Sequence, residues 1–102
     1  MFQVLRTEKA DNQLRDIIYY ISDDSGSVET ALKYLTKIEK GMMRLADFPD
    51  SGIEPRYAIL RKQGFRVLIV EKHLAFYKID KENKMVTIYA VVDSRQEYKN
   101  LL

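Results

Sequence analysis

The spacing of the apolar residues changes once along the chain, near Pro55, and this change constrains the fold more than any other feature. Before Pro55, apolar residues recur about three or four positions apart, as they do on one face of an α-helix. After Pro55 the repeat shortens to about two, which is typical of strands with one buried face. A chain of 102 residues holds one domain. The sequence therefore predicts a single domain over residues 1–102, with a helical first half and a sheet-forming second half.

Two helices joined by a polar turn are predicted in the first half. The first carries an apolar stripe from Ala10 to Ile21, and the turn-forming residues 23–27 end it. Ser27 is a suitable N-cap for the second helix, which ends before the Phe48-Pro49 pair. The short connection predicts an αα-hairpin. The second helix has the more regular stripe, formed by Val28, Ala31, Leu35, Ile38, Met42 and Leu45.

Five strands are predicted, one before the helices and four after them. The first is FQVLRT (2–7). The later four are joined by short polar turns, which implies an antiparallel meander. They are RYAILR (56–61), FRVLIV (65–70), LAFYKI (74–79) and MVTIYAVV (85–92). The expected fold class is α+β: an N-terminal strand, a two-helix hairpin, then a four-stranded antiparallel meander, with the helices packed on one face of the sheet and the other face open.

Several kinds of site are excluded by residue counts. The chain has no cysteine, so neither a disulfide framework nor a cysteine-based metal site is possible. Its single histidine, His73, excludes a multi-histidine metal site and a two-histidine acid–base pair. His73 lies in a predicted hairpin turn, where a solvated side chain is expected. The sequence also lacks a glycine-rich phosphate loop, and we expect neither a metal nor a cofactor.

The N-terminus indicates the compartment. It has no basic start followed by an apolar core and a small-residue cleavage site. No apolar run approaches the roughly 20 residues of a membrane-spanning helix. We therefore expect a soluble cytoplasmic protein that does not contact a membrane.

Charge is distributed unevenly along the chain. Residues 1–55 hold seven Lys/Arg against ten Asp/Glu, a net charge of −3, whereas residues 56–102 hold ten against five, a net charge of +5. Such asymmetry favours a surface that faces a polyanion. Chance clustering on solvated strand edges is the alternative, and the sequence leaves both open.

Arginines and tyrosines of the basic half are the candidate functional residues. Arg61 and Arg66 flank the turn at 62–64, so their guanidinium groups are expected near each other, and Arg95 directly follows the last strand. Guanidinium groups neutralise phosphate and stabilise a pentavalent transition state. A tyrosine ring stacks on an unpaired base, and its hydroxyl can move a proton. The alternative interpretation is that the arginines are solvated or paired with carboxylates and the tyrosines pack on the sheet.

Three segments resemble the RelE/ParE toxin superfamily, the toxic partners of bacterial type II toxin–antitoxin pairs. They are ALKYLTKIEKGMMRLADFPDSG, GFRVLIVEKHLAFYKID and VVDSRQEY. The resemblance implies a RelE/ParE-like fold and a cognate antitoxin as partner. It also implies one of two activities. RelE-type members enter the ribosome and cleave messenger RNA, whereas ParE-type members poison DNA gyrase without chemistry of their own.

The resemblance to RelE-type enzymes also implies roles for particular residues. Arg66 would stabilise the transition state, Arg95 would contact the scissile phosphate or protonate the leaving oxygen, and Tyr98 lies near the family's C-terminal tyrosine, at a shorter spacing from the arginine. The family's two lysines before the turn are replaced here by Tyr57 and Ile59. The residues expected to bind RNA are Arg56, Arg61, Lys62 and Tyr77.

The leading hypothesis is therefore a toxin that acts as a metal-independent, ribosome-dependent messenger RNA endonuclease, with the ribosome, messenger RNA and an antitoxin as partners. Two alternatives remain. One is a gyrase inhibitor that acts by binding alone. The other is a catalytically degenerate homologue that only binds its antitoxin.

Overall fold

The computed structural model describes residues 1–96, which form four strands and three α-helices around one mixed sheet. Two short 3₁₀ turns, Arg44–Ala46 and Pro49–Ser51, follow the second helix. In chain order the elements are β1 (Gln3–Arg6), α1 (Glu8–Ser25), α2 (Val28–Met43), α3 (Ala58–Lys62), β2 (Arg66–Val70), β3 (His73–Asp80) and β4 (Met85–Asp93).

The sheet confirms the predicted α+β class and revises its details. The strand order is β1-β4-β3-β2, in which β2, β3 and β4 form an antiparallel meander and β1 pairs with β4 in parallel. The meander therefore has three strands rather than the four expected, and β1 completes the sheet. FRVLIV contributes β2, which lies at an edge of the sheet.

The helical hairpin is confirmed, and its ends follow from local sequence. The hydroxyl oxygen of Thr7 accepts a hydrogen bond from the Ala10 N–H at the start of α1. Ser27 does the same for Thr30 at the start of α2, as predicted. Such N-caps satisfy backbone donors that the first helical turn leaves free. Gly26 between the helices has a φ of +69°, which glycine adopts without steric cost.

The larger core lies between the helical hairpin and one face of the sheet. The predicted stripes of both helices point into it, and the strands contribute alternate side chains. Val28, predicted at the start of the stripe, is exposed instead. The buried residues of this core are Ala10, Leu14, Ile38, Met42, Leu45, Leu68, Val70, Ala75, Tyr77, Val86, Ile88 and Val91.

The opposite face of the sheet is covered by a second, smaller core, which corrects the expectation of an open face. Its cover is α3, formed by the segment that was predicted as the strand RYAILR. In this segment Leu60 is buried, Tyr57 is half-buried and Ile59 is exposed, which is a helical rather than an alternating pattern. The buried residues of this core are Leu60, Phe65, Val67, Leu74, Phe76, Ala90 and Val92.

A bulge in β4 shapes the face that α3 covers. Phe76 pairs with Ala90 and the next residue, Tyr77, pairs with Ile88, so Tyr89 is an extra residue on β4. The Tyr89 side chain packs against the smaller core. Two side chains of the α1 region satisfy the backbone here: Thr7 donates to the Tyr89 carbonyl at 3.3 Å, and Gln13 accepts from the Val91 N–H at 2.8 Å.

Candidate functional site

Arg66, expected to act at a catalytic centre, is bound to the loop that precedes α3. It is the first residue of β2, directly opposite Tyr77, and therefore lies on the helix side of the sheet. Its guanidinium donates to the carbonyl oxygens of Asp50, at 2.9 Å, and of Gly52. The buried Nε has no hydrogen-bond partner within residues 1–96.

Tyr77, expected to bind RNA, is fully buried in the larger core. Its hydroxyl donates to the Pro49 carbonyl at 2.7 Å and accepts from the Gly52 N–H at 3.0 Å. Alternation along β3 places its ring on the face opposite α3. The ring is therefore closed to a stacking base, contrary to the expectation for this residue.

Arg66, Tyr77 and Gly52 together form what we call the loop clamp. A Cβ on Gly52 would overlap the Tyr77 hydroxyl and lie 2.7 Å from the Val67 carbonyl oxygen. Contacts under about 3.0 Å do not occur for real Cβ atoms, so only glycine fits here. The clamp holds the loop at 49–52 against the sheet, and it explains why glycine stands at position 52.

Arg95 lies at the other end of the sheet. Its Nε and Nη2 contact the two carboxylate oxygens of Asp93 at 3.0 and 2.9 Å, which lowers the pKa of Asp93 and raises the pKa of Arg95. Asp93 pairs with His73, and His73 pairs with Val70 at the far end of β2 from Arg66. Four residues of strand span about 13 Å.

The catalytic pair expected from the sequence is therefore not assembled in the described residues. Arg66 and Arg95 lie at opposite ends of the strands, and each already has hydrogen-bond partners within the chain. Arg61 and Arg66, expected close together, lie on opposite sides of the sheet, since α3 covers one face and Arg66 lies on the other. Tyr98 lies outside the described residues.

A groove of about 810 Å³ runs between α1, α2 and the end of the sheet where Arg95 lies. His73 faces it from β3 and is buried, which corrects the expectation of a solvated turn residue. Its Nδ1 is 2.6 Å from the hydroxyl of Tyr34 on α2. Burial lowers the pKa of His73, with Asp93 partly opposing the shift, and burial also raises the pKa of Tyr34. On the rim, Lys37 contacts Glu71 at 2.7 Å.

Three of the four residues expected to bind RNA come together on the face of the sheet that α3 covers. They lie on α3 and in the residues just before it. Arg61 donates to the carbonyl oxygens of Pro55 and Arg56, at 2.8 Å each. Arg56 lies 4.9 Å from the centroid of the Tyr57 ring and donates to the Tyr57 hydroxyl at 2.8 Å. Lys62 is exposed at the end of α3.

Two residues that the sequence did not single out, Lys78 and Tyr89, join them on this face. The Lys78 ammonium is 4.5 Å from the centroid of the Phe65 ring and 5.5 Å from that of Tyr89. Side chains alternate along β3, so Lys78 lies on the opposite face of the sheet from Tyr77. The alternation in the sequence could therefore have predicted the face on which Lys78 lies. Tyr89 had no such signal because it is the extra residue of the bulge, which interrupts the alternation along β4. We call the set of Arg56, Arg61, Lys62 and Lys78, with Tyr57 and Tyr89, the cationic face.

Within residues 1–96, no helix is both long and apolar enough to cross a membrane. In the same residues, no group of three or more His, Cys, Asp or Glu side chains is arranged to hold a metal ion.

Comparison with known families identifies the class of protein. The family model that describes the ParE toxin of the type II toxin–antitoxin system parDE matches residues 4–98. The chain belongs to the ParE toxin family. No curated protein sequence matches it closely enough to add a further relative.

Two solved structures share the fold of this ParE family member. A chain of the chromosomal ParDE toxin–antitoxin system from P. aeruginosa has a TM-score of 0.74 and 22% sequence identity, and the match covers 91% of this chain and 96% of that one. A chain of the toxin–antitoxin complex RelBE2 from Mycobacterium tuberculosis has a TM-score of 0.65 and 19% identity, covering 90% of this chain and 96% of that one.

Proposed function

We propose that this ParE family toxin arrests growth by binding DNA gyrase, without catalysing a reaction, and that a cognate antitoxin neutralises it. The observation that carries the proposal is the separation of Arg66 from Arg95. Phosphoryl transfer without a metal requires charged groups that converge on one phosphate. Here Arg66 is bound to the loop at 49–52 and Arg95 is bound to Asp93. Inhibition by binding requires no such convergence.

The antitoxin partner is supported by the family and by the structural neighbours, both of which are components of toxin–antitoxin systems. The chain also exposes large apolar side chains on both sides of the sheet, including Tyr19, Tyr20 and Leu32 on the helical hairpin. Surfaces of this kind favour burial against a protein partner.

The test compares two possible targets, gyrase and messenger RNA, with the same preparation of toxin, and gyrase is tested first. Purified toxin is titrated into a gyrase supercoiling reaction, and trapped gyrase–DNA cleavage complexes are measured in parallel. We expect supercoiling to fall and cleavage complexes to accumulate. Addition of the antitoxin encoded beside the toxin gene should restore supercoiling. Full gyrase activity at toxin concentrations that stop growth would exclude the proposal.

A messenger RNA endonuclease is the second candidate, favoured by the gathering of Arg56, Arg61 and Lys62 on one face. It is tested by adding the toxin to a translation extract and mapping message ends by primer extension. Cuts that depend on the ribosome, and that disappear in Arg95→Ala, would support this candidate. An intact message together with inhibited gyrase supports the proposed function. Overexpression that leaves growth, gyrase and messages unaffected would indicate a homologue that only binds its antitoxin.

A further inference from the structure

The basic side chains of the chain differ in what they contact. Four of them, Arg6, Lys33, Lys37 and Arg95, each form an ion pair with a carboxylate. On the cationic face, Arg61 and Lys78 contact carbonyl oxygens and aromatic rings instead. Arg61 binds two backbone carbonyls, and the Lys78 ammonium lies against Phe65 and Tyr89. Within residues 1–96, neither of these two side chains has a carboxylate partner.

The charge balance of the surrounding segment is also one-sided. From residue 51 to residue 70 the chain carries four Lys/Arg and a single acidic residue, Glu54. One of the four, Arg66, lies on the other side of the sheet, and Lys78 joins from β3. The carboxylate of Asp80, further along β3, accepts hydrogen bonds from Asn83. A surface with excess positive charge attracts polyanions.

Two cations of this face, Arg61 and Lys78, are also held in place before any ligand binds. Two carbonyl oxygens fix the Arg61 guanidinium, and two rings that meet edge to face, with centroids 5.6 Å apart, hold the Lys78 ammonium. Ordering of long side chains normally costs conformational entropy on binding, and this cost is reduced where the side chains are already fixed. The same rings are occupied by Lys78, so they do not offer free faces for stacking bases.

From these observations we infer that the cationic face binds the phosphate backbone of DNA without reading its sequence. Arg56, Arg61, Lys62 and Lys78 supply the contacts. The inference rests on the proposed function for the source of the ligand, because the DNA would be the DNA on which gyrase acts. The toxin would then contact both the enzyme and its DNA.

The experiment measures DNA binding by the toxin alone, without gyrase. Fluorescence anisotropy of a labelled duplex of about 20 base pairs is followed between about 50 and 200 mM salt. Each phosphate contact contributes a slope of roughly −0.9 to the plot of log K against log salt, so four contacts predict a slope of about −3 to −4. In the double variant Lys62→Gln/Lys78→Gln we expect the slope to fall in magnitude by about 2 and the affinity at low salt to fall at least about tenfold.

Two matched variants distinguish a localised DNA-binding site from general attraction between a basic protein and DNA. Lys33→Gln/Lys40→Gln removes the same charge from α2 and should retain the slope of the wild-type protein. Lys62→Arg/Lys78→Arg retains the charge on the cationic face and should retain binding, and circular dichroism checks that all variants fold. Absence of DNA binding at low salt, an equal loss in the α2 variant, or binding of single-stranded RNA but not of duplex DNA would overturn the inference.

A final measurement separates this inference from the proposed function. The Lys62→Gln/Lys78→Gln variant is titrated into the gyrase reaction beside the wild-type toxin, and a weaker inhibition is expected. If the wild-type toxin inhibits gyrase and the variant inhibits equally well, the DNA contact is refuted and the proposed function stands. If the wild-type toxin binds DNA through this face but leaves gyrase active, the proposed function fails and the DNA-binding face stands.

Discussion

At the scale of single residues, polar side chains that resemble catalytic residues hold the fold together here. Tyr77 and Arg66 fix the loop at 49–52, and their hydrogen bonds end on backbone groups of that loop. His73 is a further case. It is buried, contacts Tyr34 from α2, and lies near the charges of Asp93, Arg95 and Lys72.

The buried histidine makes stability depend on pH. Burial lowers the pKa of His73 in the folded chain, so the unfolded chain takes up a proton at a higher pH, near the ordinary value of 6.5. Where the unfolded state binds more protons, stability falls as the pH falls. The stabilisation is thus complete above about pH 6.5 and is lost progressively below it. Asp93 stays ionised through this range because its pKa is also lowered.

We therefore expect the melting temperature of the wild-type protein to fall between pH 8 and pH 5. In His73→Gln the group that titrates is absent and the side chain can still hydrogen-bond Tyr34, so the fall should be smaller, although the variant starts from a lower melting temperature. Circular dichroism melts across this range measure both. Parallel pH profiles for the two proteins would contradict the assignment to His73.

At the scale of elements, the N-terminus of α1 supports more than its own helix. Thr7 caps α1 and also donates to the carbonyl of Tyr89 in the bulge of β4. By contrast, Ser27 caps α2 and otherwise hydrogen-bonds only its neighbours Ser25 and Ala31 among the described residues. Loss of an N-cap costs about 1 kcal/mol. Loss of one further hydrogen bond to a part-buried carbonyl adds about 0.5–1.5 kcal/mol.

Thr7→Ala should therefore lower the free energy of unfolding by about 1 kcal/mol more than Ser27→Ala does. Urea denaturation of both variants measures the difference. Thr7→Ser keeps the hydroxyl and should lie close to the wild-type protein. Equal losses in the two alanine variants would show that the contact between Thr7 and the bulge does not stabilise the sheet.

Some of the helices and strands could be predicted from the sequence alone, and others could not. The hairpin of α1 and α2 was predicted because its apolar stripes run over many residues, and long stripes distinguish helix from strand. The segment 56–61 is too short for that test, and its Ala, Leu and Arg residues are good helix formers. The partner of β1 and the bulge at Tyr89 depend on contacts far apart in sequence, which no local pattern contains.

The same reasoning applies to the candidate site. Arg56, Arg61 and Lys62 were found because they are adjacent along the chain, whichever element they form. Lys78 is distant from them in sequence. It lies on the same face only because β3 pairs with β2 in the sheet. Arg66 and Arg95 were grouped by family resemblance, and strand register then placed them at opposite ends.

At the scale of the whole molecule, the sheet is a middle layer between two apolar layers of unequal size. The helical hairpin covers one face with two long helices, and α3 covers the other with five residues. Leu60 of α3 is nevertheless as buried as Ile38 of α2, at 2% and 1% exposure. The smaller layer bears on the inferred DNA contact because it carries Arg61 and Lys62 of the cationic face.

Truncation of a buried leucine or isoleucine to alanine typically costs about 2–5 kcal/mol, because it removes buried surface and leaves a cavity. If α3 is a true layer of the fold, Leu60→Ala should lower the free energy of unfolding by an amount in this range, comparable to Ile38→Ala. Ile59→Ala is the matched control on the same helix, since Ile59 is half exposed, and it should cost less than about 1 kcal/mol. Urea denaturation with a single two-state transition measures all three. A loss in Leu60→Ala no larger than in Ile59→Ala would mean that this face of the sheet is open in solution, and the cationic face would then lack the support that orders its side chains.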